Sequence, residues 1–315
     1  MARPETGSRP PAPIVLFGDG KDWHGRKLSR TFKARGITPL IAPLTLCGFS
    51  TETASGLAIP GLDGGVPRGA FVRFVPGGSF EEVTLYLGVL HALRALGVTV
   101  WNAPSAIERC VDKSTTTFFL QKASLPTPRT WTGTSRAEAE QHVAQVTAQG
   151  GRLVQKPLFG AQGKGLRLIA AVSDLAAPDE VDGVYYLQEF VAPAVEGAHR
   201  DWRLFVCAGR VIAAMVRHGA SWITNIKQSA RAEAAIPSQE LADLAVRAVA
   251  CVGADYAGVD IIQNADGDFL VLEVNSMPAW NGLQRVSPIK ITDHVVDAFL
   301  DAALGPAGAR EQEGP

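Results

Sequence analysis

Short apolar runs alternate with stretches of helical period through the first third of the chain. Ile14-Val15-Leu16-Phe17 reads as a buried strand that opens into Gly18-Asp19-Gly20, with a helix expected behind it over residues 27–35. Residues 70–75 form the next strand. From Ser79, with Glu81 and Glu82 in the first turn, apolar positions recur at helical spacing to Leu96 and stop at Gly97, after which residues 98–101 return as strand. Strands alternating with helices argue for a parallel sheet covered by helices, so residues 13–104 read as one small α/β domain.

A second pattern begins beyond the Asn102-Ala103-Pro104-Ser105 turn. Ser105 is placed to cap a helix as far as Arg109, and Asp112 to cap another over residues 113–123. Prolines hold Leu125-Pro126-Thr127-Pro128 extended, and Thr134 or Ser135 opens an Ala-, Glu- and Gln-rich helix. Residues 152–157 form a strand that runs into Leu158-Phe159-Gly160-Ala161-Gln162-Gly163-Lys164-Gly165, and residues 166–170 resume a strand. Strand, glycine loop, strand reads either as a plain turn or as a flap over a ligand, and Lys156 just before it favours the flap, where Gly160, Gly163 and Gly165 would let backbone N–H groups approach phosphate oxygens and permit positive φ. Lys164 is followed by neither Ser nor Thr, and no helix succeeds the loop, which excludes a P-loop and a dinucleotide fingerprint. Further on come a strand at 185–191 and a hairpin of 201–206 with 210–216 turning at Ala208-Gly209-Arg210. Amphipathic helices follow at 238–251 and Ile291–Leu304. Arg203 and Arg217 stand among apolar neighbours, and spacing alone leaves them open between snorkelling surface arginines and cations of a site.

The stretch 256–284 carries the chemistry. Residues 259–262 and 269–274 are β-branched and apolar, joined across Asp266-Gly267, a signal for a two-residue hairpin. Pairing outward from that turn sets Ile262 opposite Val271 and Asp260 opposite Glu273, with Asn275 on the same face. Directly opposed residues have Cβ atoms roughly 4.5–5.5 Å apart, where like charges destabilise the pair. Such a pair is either solvated at the edge of the sheet or bound to a cation; mostly apolar neighbours on both faces favour the cation, and an all-oxygen set suits Mg²⁺.

Composition narrows the classes further. A chain of 315 residues can bury about two domains, and 30 basic against 31 acidic residues give no broad field for nucleic acid or acidic lipid. Cys47, Cys110, Cys207 and Cys251 show no zinc or disulfide spacing and are expected as buried thiols of a reducing cytoplasm. No run of about 18 apolar residues suggests a membrane span, so a soluble cytoplasmic protein is expected. Residues 1–12 and 306–315 are Pro-, Gly- and charge-rich tails expected to stay outside the fold.

Lys113, Lys156-Pro157 with FGAQGKG, QEFV, Asp201-Trp202-Arg203, Asn225, Asp260 and LEVNSMPAWNGL together resemble the ATP-grasp carboxylate–amine ligases, and among these the RimK-type amino-acid ligases. The resemblance covers about residues 70–300. It implies an ATP-grasp fold, α/β and α+β, in which the small parallel domain at 13–104 precedes an ATP-grasp domain at 105–305, divided into lobes at about 105–184 and 185–305. By the same resemblance Lys113 and Lys156 meet the phosphates under a flap carrying Gly160, Gly163 and Gly165. The backbone of Gln188, Glu189, Phe190 and Val191 takes adenine and Asp201 the ribose, while Asp260, Glu273 and Asn275 hold magnesium. The implied cofactors are ATP and two Mg²⁺ ions, with Mn²⁺ as substitute. Arg203, Arg217 and Asn225 handle the acyl phosphate or a substrate carboxylate.

The implied reaction passes the γ-phosphoryl group to a carboxylate, and an amine attacks the acyl phosphate to give an amide. The resemblance implies L-glutamate as the amino acid, and the LEVNSMPAWNGL ending resembles relatives with pterin- or furan-type acceptors. A protein C-terminus as acceptor, or a nucleotide-binding module without activity, are the alternatives; assembly into a homo-oligomer stays open. The segment from Ser221 to Ala230 departs from the usual pattern, lacking an arginine before Asn225 and a Gly-Gly pair after it. Lys227 and Arg231 are candidates to replace that charge. The N-terminal domain, with Trp23, His24 and Arg26 beyond its glycine turn, either walls the acceptor pocket or binds a ligand by itself.

Overall fold

The computed structural model describes residues 12–160, 163–193, 195, 197–224 and 230–305. The tail expectations at 1–11 and 306–315, and the roles given to Asn225 and Lys227, lie outside the described residues. The chain divides into two compact units, one running to Trp101 and resuming at Val296, the other spanning Asn102–Val295.

The first unit is built on a four-stranded parallel sheet in the order Leu40–Ala42, Ile14–Phe17, Gly69–Val72, Val100–Trp101. The helix expected over 27–35 begins earlier, at Trp23, because the Asp22 carboxylate accepts from the Gly25 N–H and caps it there. The helix Phe80–Ala95 starts as expected, with a full capping box between Ser79 and Glu82. The chain from Val296 onward was assigned to the ATP-grasp domain by sequence but clusters with this unit. Packing explains it: Phe299 meets Phe32, Phe71 and Trp101 edge to face at 5.4–5.9 Å.

The second unit holds two antiparallel sheets. One has the order Thr130–Gly133, Tyr185–Glu189, Leu153–Lys156, Arg167–Ile169; the other runs Arg231–Ala235, Arg210–His218, Arg200–Cys207, Tyr256–Gln263, Phe269–Asn275. The lobe boundary expected at 184/185 is displaced, since Tyr185–Glu189 pairs with Thr130–Gly133 and Leu153–Lys156 and so is a central strand of the first sheet. Residues 105–125 also change sides. Leu120 and Leu125 are buried with Leu204, Leu244, Val249 and Val259 in the core beneath the second sheet. Asn102 opens this unit, its buried side chain accepting from the Asp255 and Tyr256 N–H groups and donating to Tyr256 O. The helix Pro104–Val111 begins before Ser105, proline taking the first position where no N–H is needed. Asp112 caps Lys113–Lys122 as expected, accepting from Ser114 and Thr115.

Two of the four thiols, Cys47 and Cys207, are buried, whereas Cys110 and Cys251 are only half-buried at the edge of the second core. Among the described residues no helix is long and apolar enough to cross a membrane.

Candidate active site

The two sheets of the second unit border a cavity of about 500 Å³. Lys113, Lys156, Gly160, Gly163, Gln188, Glu189, Phe190, Val191, Asp201, Arg217, Asp260 and Glu273 all line it, so most residues singled out from the sequence converge on one space.

The hairpin at its floor sets Asp260 opposite Glu273, as expected, by an unexpected route. Asn264 pairs with Asp268 across a three-residue loop, not a two-residue one, so that Ile262 faces Leu270 instead of Val271. A bulge at Leu272 then restores the pairing. Asn275 Nδ2 donates to Glu273 Oε1 at 2.9 Å, which places the third candidate ligand beside the second. Burial, reinforced by Glu273 opposite, raises Asp260 to about 7 against the pull of Arg203 and Arg217. Burial acts on Glu273 in the same sense, but Arg203, Asn275, Asp260 and Lys156 outweigh it and hold the group down at about 2. The proton affinities of the two opposed carboxylates are thus driven apart, Asp260 mainly by burial and Glu273 by the cations and hydrogen bonds around it. Two carboxylates and an amide oxygen are donors that fit Mg²⁺. Among the described residues no cluster of three or more His, Cys, Asp or Glu offers a competing metal site.

The two arginines are not surface groups. Arg203 Nη2 donates to Asp260 Oδ2 at 2.8 Å and its Nε meets Oδ1; Arg217 Nη2 reaches Asp260 Oδ2 at 3.0 Å. Arg217 also grips Asp201, with Nε 2.7 Å from Oδ1 and Nη2 on Oδ2. Burial opposes the Arg217 charge, yet Asp260 and Asp201 overcome this and raise its pKa. The Asp201–Arg217 pair was not anticipated: regular pairing outward from Ala208-Gly209 sets Asp201 opposite Val216, and only an extra residue on the returning strand, between Val211 and Ala213, brings Arg217 opposite it.

Opposite this acidic floor lie the lysines. Lys156 Nζ donates to Gln188 Oε1 at 2.6 Å, and burial lowers its pKa to about 8. Lys113 Nζ donates to the flap carbonyls of Leu158 and Gly160 at 3.3 and 3.0 Å, and burial lowers its pKa as well. Gly163 and Gly165 both have φ near +70°, which the flap requires of glycine. The Glu189 and Phe190 N–H groups are committed to Arg129 O and Arg152 O. Phe190 lies under the Arg152 guanidinium at 4.4 Å and edge-on to Trp222, which lines the cavity, whereas Trp280 is core. Arg231 is exposed and hydrogen-bonded to Glu233, and it does not line the cavity.

Antiparallel sheets on either side of a cavity, a glycine flap, two lysines and an oxygen-donor set define an ATP-grasp, ADP-forming amide-bond ligase. The comparisons make the family explicit: residues 110–299 match the model of the RimK-like ATP-grasp domain, and the chain belongs to that family. The chain is 36% identical over 211 residues to the tetrahydromethanopterin:alpha-L-glutamate ligase of Methanocaldococcus jannaschii, covering 64% of this chain and 70% of that one. To the ligase of the same name from Methanosarcina acetivorans it is 29% identical over 329 residues, covering 90% and 97%. Among solved structures it resembles the ATP-grasp ligase PsnB complexed with precursor peptide PsnA2 and AMPPNP, with a TM-score of 0.68, 26% identity and coverage of 92% and 98%. Membership of a ligase family disfavours the alternative of an inactive nucleotide-binding module.

Proposed function

We propose that the protein is an ATP- and Mg²⁺-dependent ligase that attaches L-glutamate to a carboxylate of a small pterin- or furan-like acceptor. The observation that carries the reading is the opposed Asp260–Glu273 pair, buried beside Arg203 and Arg217 and facing Lys113 and Lys156 across one cavity. The glutamate and the pterin-like acceptor are supported by the names of relatives 36% identical to this chain.

In this reading Lys113 and Lys156 bind the phosphates, and the segment Gln188–Val191 takes adenine. With the Glu189 and Phe190 amides committed to backbone carbonyls, neither is the donor to the purine edge. Asp201 serves the ribose while sharing its carboxylate with Arg217. Asp260, Glu273 and Asn275 would hold Mg²⁺, which when bound would supply neutralisation of the phosphate charge. The acceptor carboxylate oxygen attacks the γ-phosphorus and ADP departs. The glutamate amine then attacks the acyl carbon, phosphate leaves with the bonding electrons, and the amine loses its proton. Arg203 and Arg217 steady the anionic oxygens, a role suited to the guanidinium fork, with Asn225 as a further contact. Nε and Nη2 of Arg217 are engaged by carboxylates, so Nη1 is its donor toward substrate.

The test is phosphate release from ATP and Mg²⁺ with glutamate and a panel of pterin and furan carboxylates, beside peptides with a free C-terminus. Release requiring glutamate together with a small heterocyclic carboxylate is expected. Release with peptides alone would move the acceptor to a protein tail, the reading favoured by the peptide-bound ligase of similar fold. Release with an amino acid other than glutamate would overturn the substrate assignment. Titrating metal in the presence of nucleotide gives the number of ions.

A further inference from the structure

Behind the lysines of the cavity, buried hydrogen bonds run in a single direction. Lys156 Nζ donates to Gln188 Oε1 at 2.6 Å, and Gln188 Nε2 lies 3.2 Å from both Tyr186 OH and Thr130 Oγ1. An ammonium can only donate, so the Gln188 atom facing it is the oxygen and the nitrogen faces the two hydroxyls. Each hydroxyl, accepting from nitrogen, passes its own hydrogen on. Thr130 has Pro128 O at 2.9 Å; Tyr186 has Thr117 Oγ1 at 2.8 Å, and Thr117 in turn has Lys113 O at 2.9 Å. The chain of donors therefore begins at the Lys156 ammonium and forks at Gln188, one arm ending at the Pro128 carbonyl and the other at the backbone carbonyl of Lys113.

Its members belong to two layers. Thr130, Tyr186 and Gln188 sit on strands of the first sheet, whereas Thr117 sits on the helix whose Leu120 is buried in the core of the second. Tyr186 and Gln188 are each 1% exposed, so water does not compete for their polar atoms. Lys113, Lys156 and Gln188 line the cavity; Tyr186, Thr117 and Thr130 do not. The charged groups acting on Lys156 are Glu273 and Asp260, which favour its ammonium, and Lys113, which opposes it. The Gln188 amide oxygen at 2.6 Å solvates that charge, and it does so only while the amide keeps one orientation.

We propose that Thr117, Tyr186 and Gln188 are positioning residues that hold Lys156 in register with Lys113, so that ammonium groups carried by different layers meet one phosphate chain together. This rests on reading both lysines as phosphate contacts. Tyr186 and Thr117 act at a distance: by taking the phenolic hydrogen, Thr117 turns it away from the amide and leaves a phenol lone pair facing Gln188 Nε2.

The experiment measures the affinity of the full chain for AMPPNP with Mg²⁺ by calorimetry, together with thermal midpoints. The variants are Lys156→Met, Gln188→Leu, Gln188→Glu, Tyr186→Phe, Thr117→Val and the Tyr186→Phe/Thr117→Val double. Tyr186→Phe and Thr117→Val should each weaken binding by about three- to tenfold, the equivalent of one net hydrogen bond. The double variant should be no weaker than the worse single by more than about twofold, because one chain is broken only once. Gln188→Glu, which keeps an acceptor for Lys156, should bind closer to the unmutated protein than Gln188→Leu. Lowered midpoints with unchanged affinity would make the chain merely structural and overturn the proposal. If Lys156→Met weakens binding while Tyr186→Phe and Thr117→Val do not, the lysine assignment stands and the positioning chain falls. If Lys156→Met itself binds normally, the phosphate reading of Lys156 fails and takes the proposal with it.

Discussion

Replacing Arg217 by methionine removes a guanidinium shared by two buried carboxylates. Its side chain is 5% exposed, contacting Asp201 through Nε and Nη2 and Asp260 through Nη2. Asp260 retains Arg203, but Asp201 has no second ion pair among the described residues. Taking one partner from a buried pair leaves an uncompensated charge and costs about 3–5 kcal/mol. At about 2–4 °C per kcal/mol for a unit of this size, the midpoint should fall by about 6–20 °C. Adding Asp201→Asn removes the stranded charge, so the double variant should recover much of that loss. Thermal and urea unfolding of Arg217→Met, Asp201→Asn and the double variant give the coupling directly. Turnover separates the chemical role from the structural one: the double variant should regain stability while remaining about 10²-fold slower or worse, the loss typical of one oxyanion donor. An Arg217→Met midpoint within about 1 °C of the unmutated protein, with strictly additive effects, would refute the ion network; full turnover in the stabilised double variant would refute the role assigned to Arg217 in catalysis.

Glu273→Gln should leave a folded protein with turnover down by at least about 10²-fold and with weaker Mg²⁺ binding in calorimetry, since one of two carboxylate donors is lost. Burial holds Lys156 near 8, and its charged form exists below that value, so the ATP KM should rise as pH increases through about 8. Rate measurements from pH 7 to 9.5 read this, and Lys156→Arg, charged throughout, should flatten the rise. At Gly258, across from Asn275, an added Cβ would lie 2.5 Å from Arg203 Nη1 and 3.1 Å from Pro278 Cβ. Gly258→Ala should therefore push Arg203 off Asp260 and lower kcat by about tenfold, the ATP KM changing less, in steady-state assays.

What the sequence made legible were features fixed by local rules. Asp112 and Ser79 cap helices because a short polar side chain can satisfy N–H groups two or three residues on, and that spacing is written in the chain. The strand Arg231–Ala235 was hidden for the opposite reason: Ala and Glu favour helix, and only pairing with Arg210–His218 makes the segment extended. Thr130–Gly133 escaped notice for a similar reason, being too short to show alternation and held by pairing with Tyr185–Glu189. The lobe boundary failed because Tyr185–Glu189 inserts between strands distant in sequence. The Thr117–Tyr186 and Lys156–Gln188 contacts join residues 69 and 32 positions apart, and no spacing rule reaches so far.

The acidic floor of the cavity shows how a correct pairing can be reached through two errors that cancel. Counting from Asp266-Gly267 as a two-residue loop puts Asp260 opposite Glu273, but the loop has one residue more, which by itself would leave Asp260 opposite Leu272 and Glu273 opposite Val259. Val259 is fully buried in the apolar core under the sheet, so Glu273 would turn its charge into that core. The bulge adds one residue on the returning strand and reverses the slip between Asp260 and Ile261. Leu272 and Glu273 then both line the cavity, although neighbours on a regular strand point to opposite faces. The bulge, set against the longer loop, is therefore what keeps both carboxylates facing the lysines. Deleting Ile261, with loop and bulge retained, should slip the pairing so that Glu273 faces Val259, and abolish turnover, whereas deleting Ala265 from the loop leaves every strand pair in place and should spare it.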